Sequence, residues 1–74
     1  MARVEKIIEK MKNRPNGISF MEAAKVLEAH GYKNVRHKGS HYQFRNDAGD
    51  VITVKKDNPL KAVYVVDVLE RIGR

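Results

Sequence analysis

The spacing of the apolar residues changes along this chain of 74 residues. As far as His30 they recur every three or four residues, the repeat of an amphipathic helix, and from Val35 to Val54 they alternate with polar residues, the repeat of a half-buried strand. The helical repeat returns at Ala62. Helices that precede and follow a small sheet have to cover one of its faces. The sequence therefore predicts an α+β fold, a three-stranded antiparallel sheet with helices on one face, in the order α-α-β-β-β-α.

Capping residues and turn formers predict the limits of the first two helices. The first helix is predicted over about residues 2–12, ahead of a group of turn formers at residues 13–17. The second is predicted over about residues 20–30, and Ser19 with Glu22 three residues later has the spacing of a capping box. Each of these helices carries an apolar stripe that the core can bury.

The last helix is predicted over about residues 62–72. Asn58 and Pro59 precede it, and we expect them to supply its N-cap and its first-turn proline. A strand is the alternative for this segment, since Val65 and Val66 are β-branched. The repeat over the whole segment favours a helix.

Two turns divide the alternating segment into three strands. Gly39 and Ser40 form a two-residue loop in which Gly39 can take the positive φ that a tight hairpin requires, and residues 46–50 form a second, looser turn. Pairing across these turns places Lys38 opposite His41 and assigns each side chain to one of two faces. The covered face is predicted to carry Val35, His37, Tyr42, Phe44, Ile52 and Val54, and the open face Arg36, Lys38, His41, Gln43, Arg45, Thr53 and Lys55.

The composition excludes several classes of site. The chain contains no cysteine, so a disulfide framework, a thiolate zinc site and a thiol nucleophile are ruled out. Histidines remain as transition-metal ligands, but His37 and His41 are predicted to face opposite sides of the sheet, so we expect no metal site and no cofactor. At this length the core is small, and we do not expect a large enclosed active-site cavity.

The hydropathy of the chain indicates a soluble protein. The longest uninterrupted apolar run covers residues 62–66, whereas a helix that crosses a bilayer needs roughly 20 apolar residues. Residues 1–14 lack the apolar stretch of a signal peptide. We therefore expect a cytoplasmic protein with no membrane partner.

The net charge of +6 is concentrated in two segments. Residues 33–56, which hold the predicted strands, contain six basic and two acidic residues, and residues 1–14 contain five and two. A basic segment of this kind is typical of a protein that binds a polyanion, nucleic acid first and an acidic protein second. The alternative is a surface charge that serves only solubility.

His41 is the residue best placed for chemistry. An imidazole titrates near neutral pH, so it can accept or donate a proton there. On RNA, a neutral His41 would take the proton of a 2′-hydroxyl, or a protonated His41 would donate to the leaving 5′-oxygen, and Lys38 and Arg36 would stabilise charge on the phosphoryl oxygens. This route needs no metal ion, and Ser40 can orient the phosphate through its hydroxyl or its backbone N–H. The alternative is an exposed strand histidine without a function.

Other side chains with reactive groups have structural explanations. His37 is predicted to lie partly buried and hydrogen-bonded beside Tyr42, and it is the best local candidate for a second acid or base. His30 is explained by the helix end, where a cation interacts favourably with the last carbonyl groups. Asp47 and Asp50 are explained by a solvated turn.

Residues 36–44, with the sequence RHKGSHYQF, resemble the HicA family of bacterial toxins. The Gly-Ser-His-aromatic part of this run is followed by Val-Ile-Thr-Val at residues 51–54 and by Asn-Pro-Leu-Lys at residues 58–61, ahead of a helix. It is preceded by a predicted helix that ends at Gly31-Tyr32, as this resemblance requires.

The resemblance implies a fold like that of a double-stranded-RNA-binding domain, metal-independent cleavage of messenger RNA, and neutralisation by a HicB antitoxin. It places the catalytic role on His41, with Gly39 and Ser40 as its motif neighbours. We expect the antitoxin to cover the open face, because this would mask both the imidazole and the cations around it. The residues expected to bind RNA are Arg36, Lys38, Gly39, Ser40, Gln43, Arg45 and Lys55.

The resemblance also divides the chain. It covers about residues 19–72, which we expect to form the core. Residues 1–18 are then an N-terminal helical extension and turn, within a single domain over residues 1–74. Two positions remain open for the first helix: packed on the core, or extended toward a partner.

Two other functions are compatible with the same residues. The first is a non-catalytic RNA-binding module that uses the basic sheet face, which would bind RNA in a salt-sensitive manner without cleaving it. The second is a protein whose basic face binds an acidic partner. Both retain the predicted fold and dispense with chemistry at His41.

Overall fold

The computed structural model describes residues 3–74. Its elements follow the predicted order, and the α+β prediction is confirmed. Ala2, where the first helix was predicted to begin, lies outside the described residues. The elements are α1 (Val4–Asn13), a 3₁₀ turn (Pro15–Gly17), α2 (Phe20–Ala29), β1 (Lys33–Lys38), β2 (His41–Arg45), β3 (Val51–Lys55) and α3 (Ala62–Arg71).

Helix α1 packs into the core rather than extending away from it. Its side chains Ile7, Ile8 and Met11 are buried, and Met11 has no exposed surface. Two ion pairs join the helix to other parts of the chain, and their shortest contacts are Lys10 Nζ to Glu22 Oε2 at 3.0 Å and Arg74 Nη2 to Glu5 Oε2 at 2.8 Å. Because both pairs are solvent-exposed, burial of the apolar stripe holds this helix in place more than the charges do.

Helix α2 begins with the predicted capping box. The hydroxyl oxygen of Ser19 accepts a hydrogen bond from the backbone N–H of Glu22 at 3.2 Å, and the Glu22 carboxylate accepts one from the backbone N–H of Ser19 at 3.0 Å. A second side chain completes this end of the helix, since Asn58 Oδ1 accepts a hydrogen bond from the backbone N–H of Phe20 at 3.2 Å. Two of the donors that have no partner within the helix are satisfied in this way.

The prediction that Asn58 and Pro59 begin the last helix is wrong. Helix α3 begins at Ala62, and its N-cap residue is Lys61, whose side chain makes no cap hydrogen bond. The reason lies in Leu60, which is buried and whose backbone N–H donates to Ile18 O at 2.7 Å. This contact holds the segment before α3 against the chain that precedes α2, so Asn58 caps α2 instead.

The three strands form an antiparallel sheet in the order β1-β2-β3. Gly39 adopts a φ of 58°, as the predicted tight hairpin requires, and Lys38 lies opposite His41. The second turn pairs Arg45 with Val51, also as predicted. The covered face of the sheet contributes Phe44, Ile52 and Val54 to a core that also contains buried side chains of all three helices.

A β-bulge in β1 corrects one predicted position. Asn34 pairs with Phe44 and Arg36 with Gln43, so Val35 is an extra residue without a partner. The residue is 58% exposed, whereas the alternation placed it on the covered face. An extra residue reverses the alternation for everything that precedes it in the strand. Lys33 therefore lies opposite Arg45 and shares its face.

The three α-helices of the described chain have ten residues each. Within residues 3–74, none of them combines the length and the apolar character that crossing a bilayer demands.

Candidate nucleic-acid interface

The open face of the sheet is defined by the side chains that alternate with the core residues. On β2, Tyr42 and Phe44 point toward the helices, so His41, Gln43 and Arg45 point away from them. Residues that lie directly opposite one another on neighbouring strands share a face. The open face consists of Lys33, Arg36 and Lys38 of β1, His41, Gln43 and Arg45 of β2, and Val51, Thr53 and Lys55 of β3.

His41 lies on the middle strand of this face, at the end next to the tight hairpin turn. It lies opposite Lys38 on one side and opposite Lys55 on the other. The Cβ atoms of directly opposed residues are about 4.5–5.5 Å apart, so both amines can reach a phosphate that contacts the imidazole. His41 is exposed, as are the two residues before it, Gly39 and Ser40. A phosphodiester therefore has access to the ring from solvent.

An open concavity of about 870 Å³ surrounds His41. The predicted site residues do not all contribute to it: Arg45 and Lys55 lie on the same face but outside the lining. The concavity is lined by Arg36, His37, Lys38, Gly39, Ser40, His41, Gln43 and Thr53.

Within the described residues 3–74, the cations of the open face have no acidic partners. Among residues 3–74, the acidic members of the ion pairs are Glu5, Glu22, Asp50 and Asp67, and none of them lies on this face. A group of like charges without counter-charges raises the local concentration of anions and the rate at which they associate. The cations concerned are Lys33, Arg36, Lys38, Arg45 and Lys55.

The hairpin turn beside His41 is held from the neighbouring strand. The backbone N–H of Lys56, just after β3, donates a hydrogen bond to Ser40 O at 2.6 Å. Gly39 precedes it in the left-handed region, where a Cβ is strained even though no atom lies within 4 Å of its position. The backbone that carries Ser40 into His41 thus has a defined path.

His37 is not partly buried, as predicted, but exposed. Its ring stacks on Tyr42, with the ring centroids 4.9 Å apart and the planes inclined by 12°, and no hydrogen bond to the ring is found within residues 3–74. Every residue of β1 is exposed, whereas Ile52 and Val54 on the opposite edge strand are buried, so the helices cover the β2 and β3 side of the sheet rather than β1. Tyr42 is half-buried and also contacts Phe20, with 4.8 Å between centroids.

His30 lies at the end of α2, as predicted. Its Nδ1 is 2.8 Å from Val26 O, one of the last carbonyl groups of the helix. Among residues 3–74, no three His, Cys, Asp or Glu side chains converge in the manner of a metal site.

Asp50 is not simply a solvated turn residue. Its carboxylate accepts a hydrogen bond from the Tyr32 hydroxyl at 2.5 Å and pairs with Arg71 Nη1 at 2.6 Å. The hydrogen bond from Tyr32, and then the one from Arg71, lower the pKa of the Asp50 carboxyl below its ordinary value. These contacts join the turn between β2 and β3 to α3, on the side of the fold away from His41. Asp47, in the same turn, is exposed.

The sequence of the chain matches that of a known protein family. No curated protein and no solved structure matches the chain significantly. A family model described as the HicA toxin of bacterial toxin-antitoxin matches residues 20–73, which include the whole sheet and both α2 and α3. That family is generally one of ribonuclease-type toxins, and membership implies an antitoxin partner. The chain belongs to the HicA family of toxins from bacterial toxin-antitoxin systems.

Proposed function

We propose that this protein is a cytoplasmic endoribonuclease that cleaves messenger RNA without a metal ion, and that His41 is its acid or base. The observation that carries the proposal is the position of His41, exposed in an open concavity between Lys38 and Lys55. A proton-transfer group and phosphate-binding charges therefore face solvent together. Membership of the HicA family supports RNA as the polyanion.

The 2′-hydroxyl of RNA supplies the nucleophile in this mechanism. With His41 as base, a ring nitrogen takes the 2′-hydroxyl proton, the 2′-oxygen forms a bond to phosphorus, and the bond from phosphorus to the 5′-oxygen breaks as that oxygen takes a proton from water. With His41 as acid, its ring supplies that last proton, and water accepts the proton of the 2′-hydroxyl. Either way the products are a 2′,3′-cyclic phosphate and a 5′-hydroxyl. Lys38 and Arg36 stabilise the negative charge that develops on the phosphoryl oxygens.

The remaining residues of the open face bind the RNA strand. We propose that Gly39 and Ser40 orient the scissile phosphate through the backbone and the Ser40 hydroxyl, and that Gln43 hydrogen-bonds the ribose or phosphate beside it. Arg45 and Lys55 lie outside the concavity and contact the phosphates that flank it. Contacts of this kind position a strand without reading its sequence.

Inhibition by a HicB-type antitoxin is part of the same proposal. The unpaired cations of the open face attract an acidic surface as well as RNA. An antitoxin seated there removes access to His41 and occupies the phosphate-binding charges at once. A complex in which the His41 ring keeps its accessibility would contradict this mode of inhibition.

We also propose that residues 1–18 and the core of residues 19–72 form one domain. The burial of Ile7, Ile8 and Met11 supports this, because an apolar stripe of that size is costly to expose. The ion pair between Arg74 and Glu5 further supports it, since it joins the two ends of the described chain.

The test is cleavage of a defined RNA by purified wild-type protein and by His41→Ala, in EDTA. We expect the variant to cleave about 10²–10⁴ times more slowly, the usual contribution of a positioned acid or base. His30→Gln is the matched control, because it removes an imidazole that lies outside the concavity. A single 2′-deoxy substitution at the cleaved nucleotide is expected to block the wild-type protein.

Other outcomes decide against the proposal. Equal cleavage of the 2′-deoxy substrate would refute attack by the 2′-hydroxyl, and cleavage that survives His41→Ala unchanged would refute the role of His41. Salt-sensitive RNA binding with no product from the wild-type protein would identify the alternative, a non-catalytic RNA-binding module on the same face.

A further inference from the structure

A set of ring contacts lies on the other side of the hairpin from His41. His37 is stacked on Tyr42 with nearly parallel planes, and Tyr42 contacts Phe20 at a tilt of 52°. Tyr42 is half-buried and Phe20 is buried, so these two rings are anchored in the core. His37 is the outermost ring of the set.

The His37 ring has a free face. Within residues 3–74 its ring contact is with Tyr42, which covers one side, and the residue is exposed. Tyr42 holds the imidazole in a fixed plane, so a second planar group can stack on it at little further cost in conformational entropy. An exposed ring that is already oriented in this way is a ready stacking surface.

His37 also lies on the path of a nucleic-acid strand through the concavity. It contributes to the lining of the same concavity as His41, and Lys38 and the two residues of the hairpin turn separate it from His41 in the chain. Since β1 is the edge strand, a strand leaving His41 can pass around this edge without crossing a neighbouring element. The nucleotide next to the scissile phosphate then arrives beside His37.

A positive charge accompanies the rings. Lys56 Nζ lies 5.5 Å from the centroid of Phe20 and 5.7 Å from that of Tyr42. Its backbone N–H is the one that holds Ser40. A cation therefore lies beside the ring on which His37 stacks.

We propose that His37 is a base-stacking site: one nucleobase of single-stranded RNA, on a nucleotide that flanks the scissile phosphate, stacks on the imidazole face that Tyr42 leaves free. The inference rests on the proposed function, since it assigns a binding site on that substrate. Stacking on a ring accepts any base, because every base has a flat face. The site therefore contributes affinity and positioning rather than strict sequence recognition, and purines bind better than pyrimidines because they overlap the ring over a larger area.

A double-mutant cycle between protein and RNA tests this. Binding is measured in the His41→Ala background, in which cleavage is expected to be slow on the time scale of the titration, with a short single-stranded RNA and a series of copies that each lack one base. We expect His37→Ala to weaken binding of the intact RNA about tenfold, within the range for loss of one base-aromatic stack. We expect His37→Phe to retain the affinity, because it keeps a flat ring, and Val35→Ala to serve as the control for an exposed β1 residue outside the concavity.

The coupling between the His37→Ala substitution and the removal of one base separates stacking from a structural effect of the variant. Removal of one particular base should weaken binding to the His37 protein and have no further effect on His37→Ala, while removal of other bases affects both proteins equally. An unchanged affinity of His37→Ala, a defect that is the same for every RNA of the series, or a complete lack of RNA binding by the parent protein would each overturn the inference.

The nuclease proposal is judged by a different measurement, cleavage by the protein that retains His41. Cleavage without the coupling rejects the stacking site and leaves the nuclease standing. The coupling without cleavage supports the stacking site and rejects the nuclease.

Discussion

Lys55 lies directly opposite His41 on the neighbouring strand. Of these two residues, His41 lines the concavity and Lys55 does not. The next residue, Lys56, donates a hydrogen bond from its backbone N–H to the carbonyl oxygen of Ser40. β3 and the residue that follows it therefore supply a cation beside the imidazole and a hydrogen bond that holds the turn in front of it. The middle strand and its two neighbours therefore all contribute residues at this point of the sheet.

The open-face lysines are expected to set affinity for RNA of any sequence. Lys38→Ala and Lys55→Ala, each in the His41→Ala background, should weaken binding uniformly across sequences and lower the dependence of log K on log[salt] by about 1 each, because each removes one phosphate contact. Lys12→Ala is the control, since Lys12 is exposed on α1, away from this face. Binding is measured by titration at several salt concentrations. A salt dependence that stays the same in both variants would contradict phosphate binding by these amines.

A sulfur-substituted substrate assigns the role of His41. In RNA with sulfur in place of the leaving 5′-oxygen, the leaving thiolate needs no proton from an acid. If His41 is the base, His41→Ala is expected to slow cleavage of this substrate as much as it slows cleavage of ordinary RNA. If His41 is the acid, the defect should largely disappear. Single-turnover rates measure both, and a variant that cuts both substrates at the wild-type rate would contradict either role.

Gly39→Ala is expected to destabilise the fold through backbone strain. Gly39 has a φ of 58°, and an L-residue in this region costs roughly 1–2 kcal/mol. Gly17→Ala is the matched control: the φ of Gly17 is not positive, and the nearest atom to an added Cβ is 3.9 Å away. It should be neutral or stabilise by up to about 1 kcal/mol. Urea unfolding measures both, and equal free energies of unfolding for the two variants would refute the strain argument.

Asp50 is expected to contribute to the pH dependence of stability. Its pKa is lowered in the folded protein by the Tyr32 hydroxyl and by Arg71, so the unfolded chain binds a proton more readily. The contribution of Asp50 to the free energy of unfolding is therefore complete above the ordinary pKa of an aspartate, near 4. It is lost as the pH falls through the lowered pKa of the folded protein. Asp50→Asn should reduce the loss of stability at acid pH.

Thermal unfolding between about pH 2 and pH 7 measures this effect. Asp47→Asn is the control, because Asp47 lies exposed in the same turn and makes no ion pair within residues 3–74. Part of the acid sensitivity should remain in Asp50→Asn, since hydrogen bonds from Arg74 and from the backbone of Ser19 lower the pKa values of Glu5 and Glu22. Identical acid limbs for Asp50→Asn and wild type would contradict the contribution of this carboxylate.

Two methionines test whether α1 belongs to the domain. Met11 is fully buried and Met21 is 77% exposed, and both lie on helices. Met11→Ala should lower the free energy of unfolding by about 2–5 kcal/mol, the cost of a cavity in the core. Met21→Ala should change it by less than about 0.5 kcal/mol. Urea titration followed by circular dichroism measures both, and a Met11 variant as stable as the Met21 variant would show that α1 is not part of the cooperative unit.

Sequence reasoning succeeded where one local signal set the geometry. Gly39 specified the tight turn, the turn specified the register, and the register placed His41 opposite Lys38. It was wrong for Val35, because alternation assigns faces correctly only while pairing is continuous, and the bulge at this residue interrupts it. The bulge is also why Lys33 was missing from the predicted open face.

Contacts between distant segments account for the other corrections. Asn58 accepts a hydrogen bond from the backbone N–H of Phe20, 38 residues away in the chain. No local sequence pattern distinguishes an asparagine that caps this distant helix from one that caps the following helix. Asp50 is 18 residues from Tyr32 and 21 from Arg71, so its partners were equally hidden. A side chain takes whichever donor the fold brings nearest, and this depends on the packing of the whole chain.

By itself the amino-acid sequence determined the elements, their order, the tight hairpin and the basic face with His41 on it, because these follow from periodicity, turn chemistry and charge over short stretches. The tertiary structure decided that α1 packs into the core, that the acidic residues pair away from the open face, and that His37 is exposed as the outer ring of a stack. Those properties depend on distances between segments that are far apart in the chain, and burial and pairing are defined only once the segments have packed together.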